Sequence, residues 1–275
     1  MDNREENERV DLWRVILFYK FVDLTLVENE VASSLRKIAS ELGLQGRLLV
    51  SSEGVNGTLS GAEALVGRFE EHCINDTRLN FTASDFRASF STSSPFSRLH
   101  VKVTEELCWS GRILKDIPIS ETGKGYLTPD EWRAILDDRS EDLVILDVRS
   151  QKESSIGKFE GAVVAPTRTF AEYHQWLASE ESQRLVNGKK VLMYCTGGLR
   201  CEKTAARLRA TMTDSTGPKS VQHLEGGVHR YLERFCPGGT EKHAINVAAM
   251  KNSCTPTCMD DIETHWKGKV RLVLL

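Results

Sequence analysis

Residues 189 to 204, Lys-Lys-Val-Leu-Met-Tyr-Cys-Thr-Gly-Gly-Leu-Arg-Cys-Glu-Lys-Thr, pass from a strand pattern to a helix pattern through a turn of a few residues. The apolar run 191–194 has strand length, and 202–208 has helix composition with an acidic residue in its first turn. The same alternation extends on both sides: strands at 143–147, 163–165 and 221–224, helices around 170–185 and 202–212. Strands and helices in that order predict a central parallel sheet covered on both faces. Ligands of such sheets gather at the carboxyl ends of the strands, which is where Cys195 lies.

That position makes Cys195 a candidate reactive thiol. Gly197 and Gly198 can adopt backbone angles closed to other residues, so the N–H groups of the turn can point at the sulfur. The partial charge of the helix start and the Arg200 guanidinium add to the same field, which favours thiolate or persulfide. A buried structural cysteine is the bland alternative. The coincidence of thiol, paired glycines, arginine and helix start favours chemistry.

The first half of the chain has a different order. Strand-like 13–18, a helical pattern over 26–42, strand 46–51, a glycine-punctuated segment 52–60, helix 62–73 and short strands at 81–84 and 99–103 give β-α-β-β-α-β. This is the split arrangement of ferredoxin-like or acylphosphatase-like sandwiches. Thr128-Pro-Asp-Glu-Trp132 begins a helix after a connector rich in breakers, with Thr128 as cap and Glu131 three residues on. The expected layout is a disordered tail at 1–12, an acylphosphatase-like α+β domain at 13–105, a linker at 106–125, a rhodanese-like α/β domain at 126–235 and an atypical segment at 236–275.

Composition narrows the class. At 40% hydrophobic and 27% charged residues, with net charge −3, this is an ordinary globular composition. No stretch reaches the roughly 18 apolar residues of a membrane span, and the acidic start is no leader peptide, so a cytoplasmic protein without membrane contact is expected. Seven cysteines without an export signal point to reduced thiols. Lys189, Lys190, Arg200, Lys203, Arg207 and Arg209 face only Glu202 in charge, so the surroundings of Cys195 are locally basic. This leaves two readings, a face that holds phosphate backbone and a solvated helix face.

Cys195-Thr-Gly-Gly-Leu-Arg200 resembles the active loop of the rhodanese superfamily, and 143–149, 156–162 and 224–228 resemble further landmarks of that domain. Phosphatases of the same fold place five residues between cysteine and arginine; here only four intervene. Phe18-Tyr-Lys-Phe-Val22, Glu53-Gly-Val-Asn-Gly-Thr58, Ser94-Pro-Phe-Ser-Arg-Leu-His-Val-Lys102, Gly125-Tyr-Leu-Thr-Pro-Asp-Glu-Trp132 and the loop itself resemble, in order, the oxygen-dependent tRNA uridine hydroxylase family. The resemblance implies formation of 5-hydroxyuridine at the wobble position, tRNA as partner, molecular oxygen as co-substrate, and Cys195 as the essential thiol. No other cofactor is evident. The alternative is a sulfurtransferase carrying a persulfide on Cys195, supplied by a small-molecule or protein sulfur donor.

By that resemblance Thr196, Gly197, Gly198, Leu199 and Arg200 form the anion cradle, with Arg200 able to bridge to a phosphate. Cys201 is a candidate resolving thiol, against a packing role. Asp147 and Arg149 are expected as a structural ion pair. Lys102, Lys203 and Arg207 are candidate RNA contacts; Glu53 and Asn56 are weighed for the same role, against a turn held by Asn and Gly. The carboxyl-terminal Trp266-Lys-Gly-Lys269 matches the family, whereas the flanking sequence departs from it. Cys236, His243, Cys254, Cys258 and His265 have irregular spacing for zinc, so no metal is assigned.

Overall fold

A computed structural model describes residues 13–138, 141–212, 216–235 and 266–268. In chain order its strands and helices are β1 (Trp13–Phe21), α1 (Glu28–Glu41), β2 (Gln45–Ser51), β3 (Gly54–Ala62), α2 (Glu63–Asn75), β4 (Phe86–Ser91), β5 (Leu99–Val103), β6 (Tyr126–Leu127), α3 (Pro129–Asp137), β7 (Leu143–Asp147), α4 (Gln151–Ser154), β8 (Gly157–Phe159), β9 (Val163–Val164), α5 (Phe170–Leu177), α6 (Glu180–Val186), β10 (Lys190–Tyr194), α7 (Leu199–Arg209), β11 (Ser220–Leu224), α8 (Gly227–Phe235) and β12 (Trp266–Gly268). Two five-stranded sheets organise them, in the orders β4-β1-β3-β2-β5 and β6-β11-β10-β7-β9.

Helices of its own half cover one face of the first sheet. Period-two alternation sends Ile16 and Phe18 of β1, Leu48 and Val50 of β2, and Val55 and Leu59 of β3 into a core with Val31, Leu35 and Ala39 of α1 and Val66 and Phe69 of α2. Leu17 and Tyr19 therefore point the other way, toward the second half of the chain. The sheet is antiparallel apart from the β2–β5 pair.

The second sheet is parallel throughout and buried on both faces. Along β10, Val191 and Met193 join one core while Leu192 and Tyr194 join the other. A continuous apolar run suits a strand with no solvent face. The α+β and parallel α/β classes expected from the sequence are both present. The Thr128 capping box forms, with Pro129 at the first helical position.

Three element positions differ from expectation. The strand placed at 81–84 is a turn and a short 3-10 helix, because Thr82 and Asp85 cap each other there, and the pairing strand is β4 instead. The helix expected over 170–185 is two helices, since the Ser179 hydroxyl accepts from the Ser182 N–H and starts a new one. The helix after Cys195 begins three residues early, at Leu199. The tail at 1–12 and the zinc candidates Cys236, His243, Cys254, Cys258 and His265 lie outside the described residues. β12 pairs antiparallel with β8.

The stretch 106–125 folds onto both sheets. Buried Glu106 accepts from the Ser110 N–H at 3.0 Å, the Ser110 hydroxyl at 2.5 Å and the Arg112 N–H at 3.1 Å, which fixes the turn after β5. No helix among the described residues is long and apolar enough to cross a membrane.

Candidate active site at the seam between the two sheets

Cys195 follows β10 directly, and its sulfur accepts from the Gly198 N–H at 3.1 Å. Burial pushes the thiol up, but a hydrogen bond from the Cys201 thiol, the Arg200 charge and the Cys201 and Gly198 N–H groups outweigh it and bring the thiol down to about 6. Cys195 is a thiolate at neutral pH. The cradle is thus two amides and a thiol rather than every N–H of the turn. Cys201 is buried and its own thiol is raised, first by burial and then by its bond to Cys195. It serves as a hydrogen-bond donor in contact with Cys195, the position a resolving thiol would also need.

Gly198 has φ +102, and a Cβ there would come within 2.6 Å of the Tyr19 hydroxyl. A Cβ on Gly197 would come within 2.7 Å of Leu17 Cδ2. Both glycines therefore serve a purpose beyond the turn: they let the loop lie against the helix-free face of the first sheet. The result is a cavity of about 220 Å³ between the sheets. Leu17, Tyr19, Arg47, Leu49, Asn56, Gly57 and Thr58 form its first-sheet wall; Cys195, Thr196, Gly197, Leu199, Arg200 and His229 form the other, with Cys108 of the connecting stretch between them. Cys195 is only 1% exposed, so its access is through this cavity.

Arg200 is not a free anion ligand. Its two terminal nitrogens donate to Glu153 at 3.0 and 2.6 Å, and one also donates to the Thr196 hydroxyl at 3.1 Å. Despite burial, which raises it, the Glu153 carboxyl is held down at about 2 by these bonds and the Arg200 charge. Arg200 clamps the loop and charges it from beneath.

Asp147 and Arg149 form a buried pair at 2.7 Å. Asp147 also accepts from the Ser154 and Tyr194 hydroxyls, and Arg149 reaches the Gly157 carbonyl. Lys203, expected at the surface as an RNA contact, is instead 2% exposed: it pairs with Glu53 of the other sheet and donates to the Leu114 carbonyl, so it ties the halves together. Charge counted along a helix cannot say which side faces inward. Arg207 is half-buried near His174, which burial and the Arg207 charge lower to about 3, and it lines a separate cavity. Lys102 is exposed on β5 and does not line the Cys195 cavity. Asn56 donates to the Leu107 carbonyl at 3.4 Å and lines the cavity, whereas Glu53 accepts the Leu107 N–H at 2.7 Å.

Sequence reasoning missed Glu153, Tyr19, Arg47, Cys108 and His229. Each lies far in sequence from the loop; Tyr19 stood inside the Phe18–Val22 motif without being singled out, and His229 carried a local signal as a titratable residue on the apolar side of an amphipathic helix. Among the described residues no cluster of three or more His, Cys, Asp or Glu side chains could hold a metal ion.

Known proteins match both halves. The family model for the UPF0176 acylphosphatase-like domain covers residues 13–107, and that for the rhodanese-like domain covers 128–234. A solved acylphosphatase from Coxiella burnetii is 18% identical, covering 37% of this chain and 100% of its own, with a TM-score of 0.26. A tRNA uridine(34) hydroxylase from Rhizobium leguminosarum bv. trifolii is 34% identical over 80% of this chain and 66% of its own length. One from Brucella anthropi is 34% identical over 80% of this chain and 67% of its own. The match spans about two thirds of those relatives. With both domain matches in the same order along one chain, the sequence belongs to the tRNA uridine(34) hydroxylase family.

Proposed function

We propose that this protein hydroxylates C5 of uridine 34 in tRNA, with dioxygen as co-substrate and Cys195 as nucleophile, in the cytoplasm. The observation that carries the reading is a thiolate, lowered to about 6, facing a cavity that both sheets enclose. At about 220 Å³ the cavity is below the roughly 300 to 1,000 Å³ of ordinary small-molecule sites, room for one extruded base. Apolar Leu17, Leu49 and Leu199 suit the faces of a pyrimidine. Asn56 supplies an amide oxygen for the uracil N3–H, since its nitrogen is engaged by Leu107. Exposed Arg47 at the rim suits the adjoining phosphate.

The chemistry follows from uracil itself. C5 is a weak nucleophile until a thiolate adds to C6, which places the displaced electron pair on C5. Cys195 supplies that addition, and its low pKa makes it both nucleophile and later leaving group. Overall, C5–H, dioxygen, two electrons and two protons give C5–OH and water, the electrons coming from an external two-electron donor. Arg200, clamped by Glu153, holds the loop while the sulfur changes charge.

Purified protein incubated with tRNA, oxygen and a reductant is expected to yield 5-hydroxyuridine by nucleoside mass spectrometry. Cys195→Ser is expected to abolish it. Absence of product from the unaltered protein, or full activity of Cys195→Ser, overturns the reading. The second reading, sulfurtransferase, draws on the same donors around the Cys195 sulfur, which suit a persulfide from a small-molecule or protein donor. Cyanide-dependent thiocyanate formation with unchanged tRNA would favour it.

A further inference from the structure

The Cys195 cavity contains a titratable group that the proposed addition does not use. His229 lines it from α8, is 1% exposed, and has no aligned hydrogen-bond partner at either ring nitrogen. A buried imidazole with both nitrogens unmatched calls for an explanation, because burying a polar group without a partner costs free energy. The backbone around it is built for closeness to the thiolate. Gly227 has φ +63, and a Cβ there would sit 2.5 Å from the Cys195 carbonyl oxygen. The Val228 and His229 N–H groups donate to the Cys195 and Thr196 carbonyls at 3.0 and 3.1 Å. The start of α8 is thereby pinned to the loop that carries the nucleophile. Behind the ring, Glu233 Oε1 lies 3.3 Å from Nδ1, out of line for a hydrogen bond yet close enough to favour a proton on that nitrogen. The lone pair is then on Nε2, in a ring that belongs to the cavity wall.

We propose that His229 is the general base that removes the C5 proton in the last step of uridine hydroxylation. This rests on the function proposed above. After oxygen has joined C5, the ring still carries the C6–sulfur bond and the original hydrogen on C5. The C5–H bond breaks, its proton passes to His229 Nε2, its electron pair re-forms the C5=C6 double bond, and the C6–S bond breaks to release Cys195 as thiolate. Electrons balance within that step, and no further oxidant is needed. Cys195 cannot be the base, since its sulfur is bonded to C6 until the step ends. Glu153 is engaged by Arg200 and Ser150, and Cys201 is a thiol whose ionisation is suppressed. The Cys108 thiol and the Tyr19 hydroxyl, which also line the cavity, are both raised by burial, which leaves the imidazole of His229.

The test compares tRNA bearing ordinary or 5-deuterated uridine at position 34, with the unaltered protein, His229→Gln and Glu233→Gln. His229→Gln is expected to lower kcat about 100-fold, in the range for loss of a general base, with KM little changed. It should also raise the deuterium isotope effect on kcat above that of the unaltered protein, because C5–H cleavage becomes limiting. Glu233→Gln, at a half-buried position, should show a smaller shift in the same direction and guards against a folding defect at residue 229. If both variants hydroxylate with the isotope effect of the unaltered protein, His229 is a packing residue and the assignment is overturned. If the unaltered protein forms no 5-hydroxyuridine, the underlying function falls and the assignment with it.

Discussion

At the scale of single residues, the acidity of Cys195 depends on neighbours of unequal visibility. Arg200 and the glycines were legible in the sequence because they lie within five residues of the sulfur. Glu153, which holds Arg200 in place, lies 47 residues away and comes near only when α4 packs beneath the loop. The donor role of Cys201 was also hidden, since it requires the helix to begin at Leu199 and turn that thiol toward Cys195. Iodoacetamide should alkylate Cys195 with a rate that rises through about pH 6 and is level by neutrality, since the thiolate is the reactive form and protonates as pH falls through that value. Cys201→Ala removes the foremost of the bonds that lower the thiol and should move that midpoint upward, while Cys201→Ser, which retains a donor, should move it less. Mass spectrometry of the alkylated peptide across pH reads both. An unmoved midpoint in Cys201→Ala would remove Cys201 from the account.

Among the elements, strands with continuous apolar runs and the capped helix α3 were legible because local pattern and burial agree. The strand at β4 was misplaced because Phe81 is apolar and buried, yet it packs among the first-sheet core residues from a turn. Helix α7 carries the sharpest lesson. Its surface looked basic, but Glu202 and Lys203 both turn inward: Glu202 accepts from the Tyr126 hydroxyl at 2.5 Å and the Gly123 N–H at 2.8 Å, and Lys203 meets Glu53. Glu53→Gln leaves the Lys203 ammonium buried without its counter-charge and should cost about 3 to 5 kcal/mol, read from the urea midpoint. Pairing it with Lys203→Met should recover most of that loss, because neither charge then remains. A single variant as stable as the unaltered protein would show that the pair carries no such load.

For the whole molecule, the sequence revealed two folding units in order but not that they share a wall. Contact between distant segments leaves no periodic trace; Leu17 and Gly197 meet only in three dimensions. The helix-free face of the first sheet is covered by the loop and helices of the second, and the stretch 106–125 is laced to both. Such coupling should make unfolding one event. Tryptophan fluorescence, reporting Trp13 in the first sheet and Trp132 and Trp176 in the second half, and far-UV circular dichroism should give coincident urea transitions. Two separated transitions would mean that the halves hold together only loosely. The tight approach of Gly197 to Leu17 has one more consequence, for inhibitor discovery. A compound lodged in the chamber must touch both halves at once and would act as a rivet, so blockers of turnover should announce themselves by a higher melting temperature before any assay of tRNA is run.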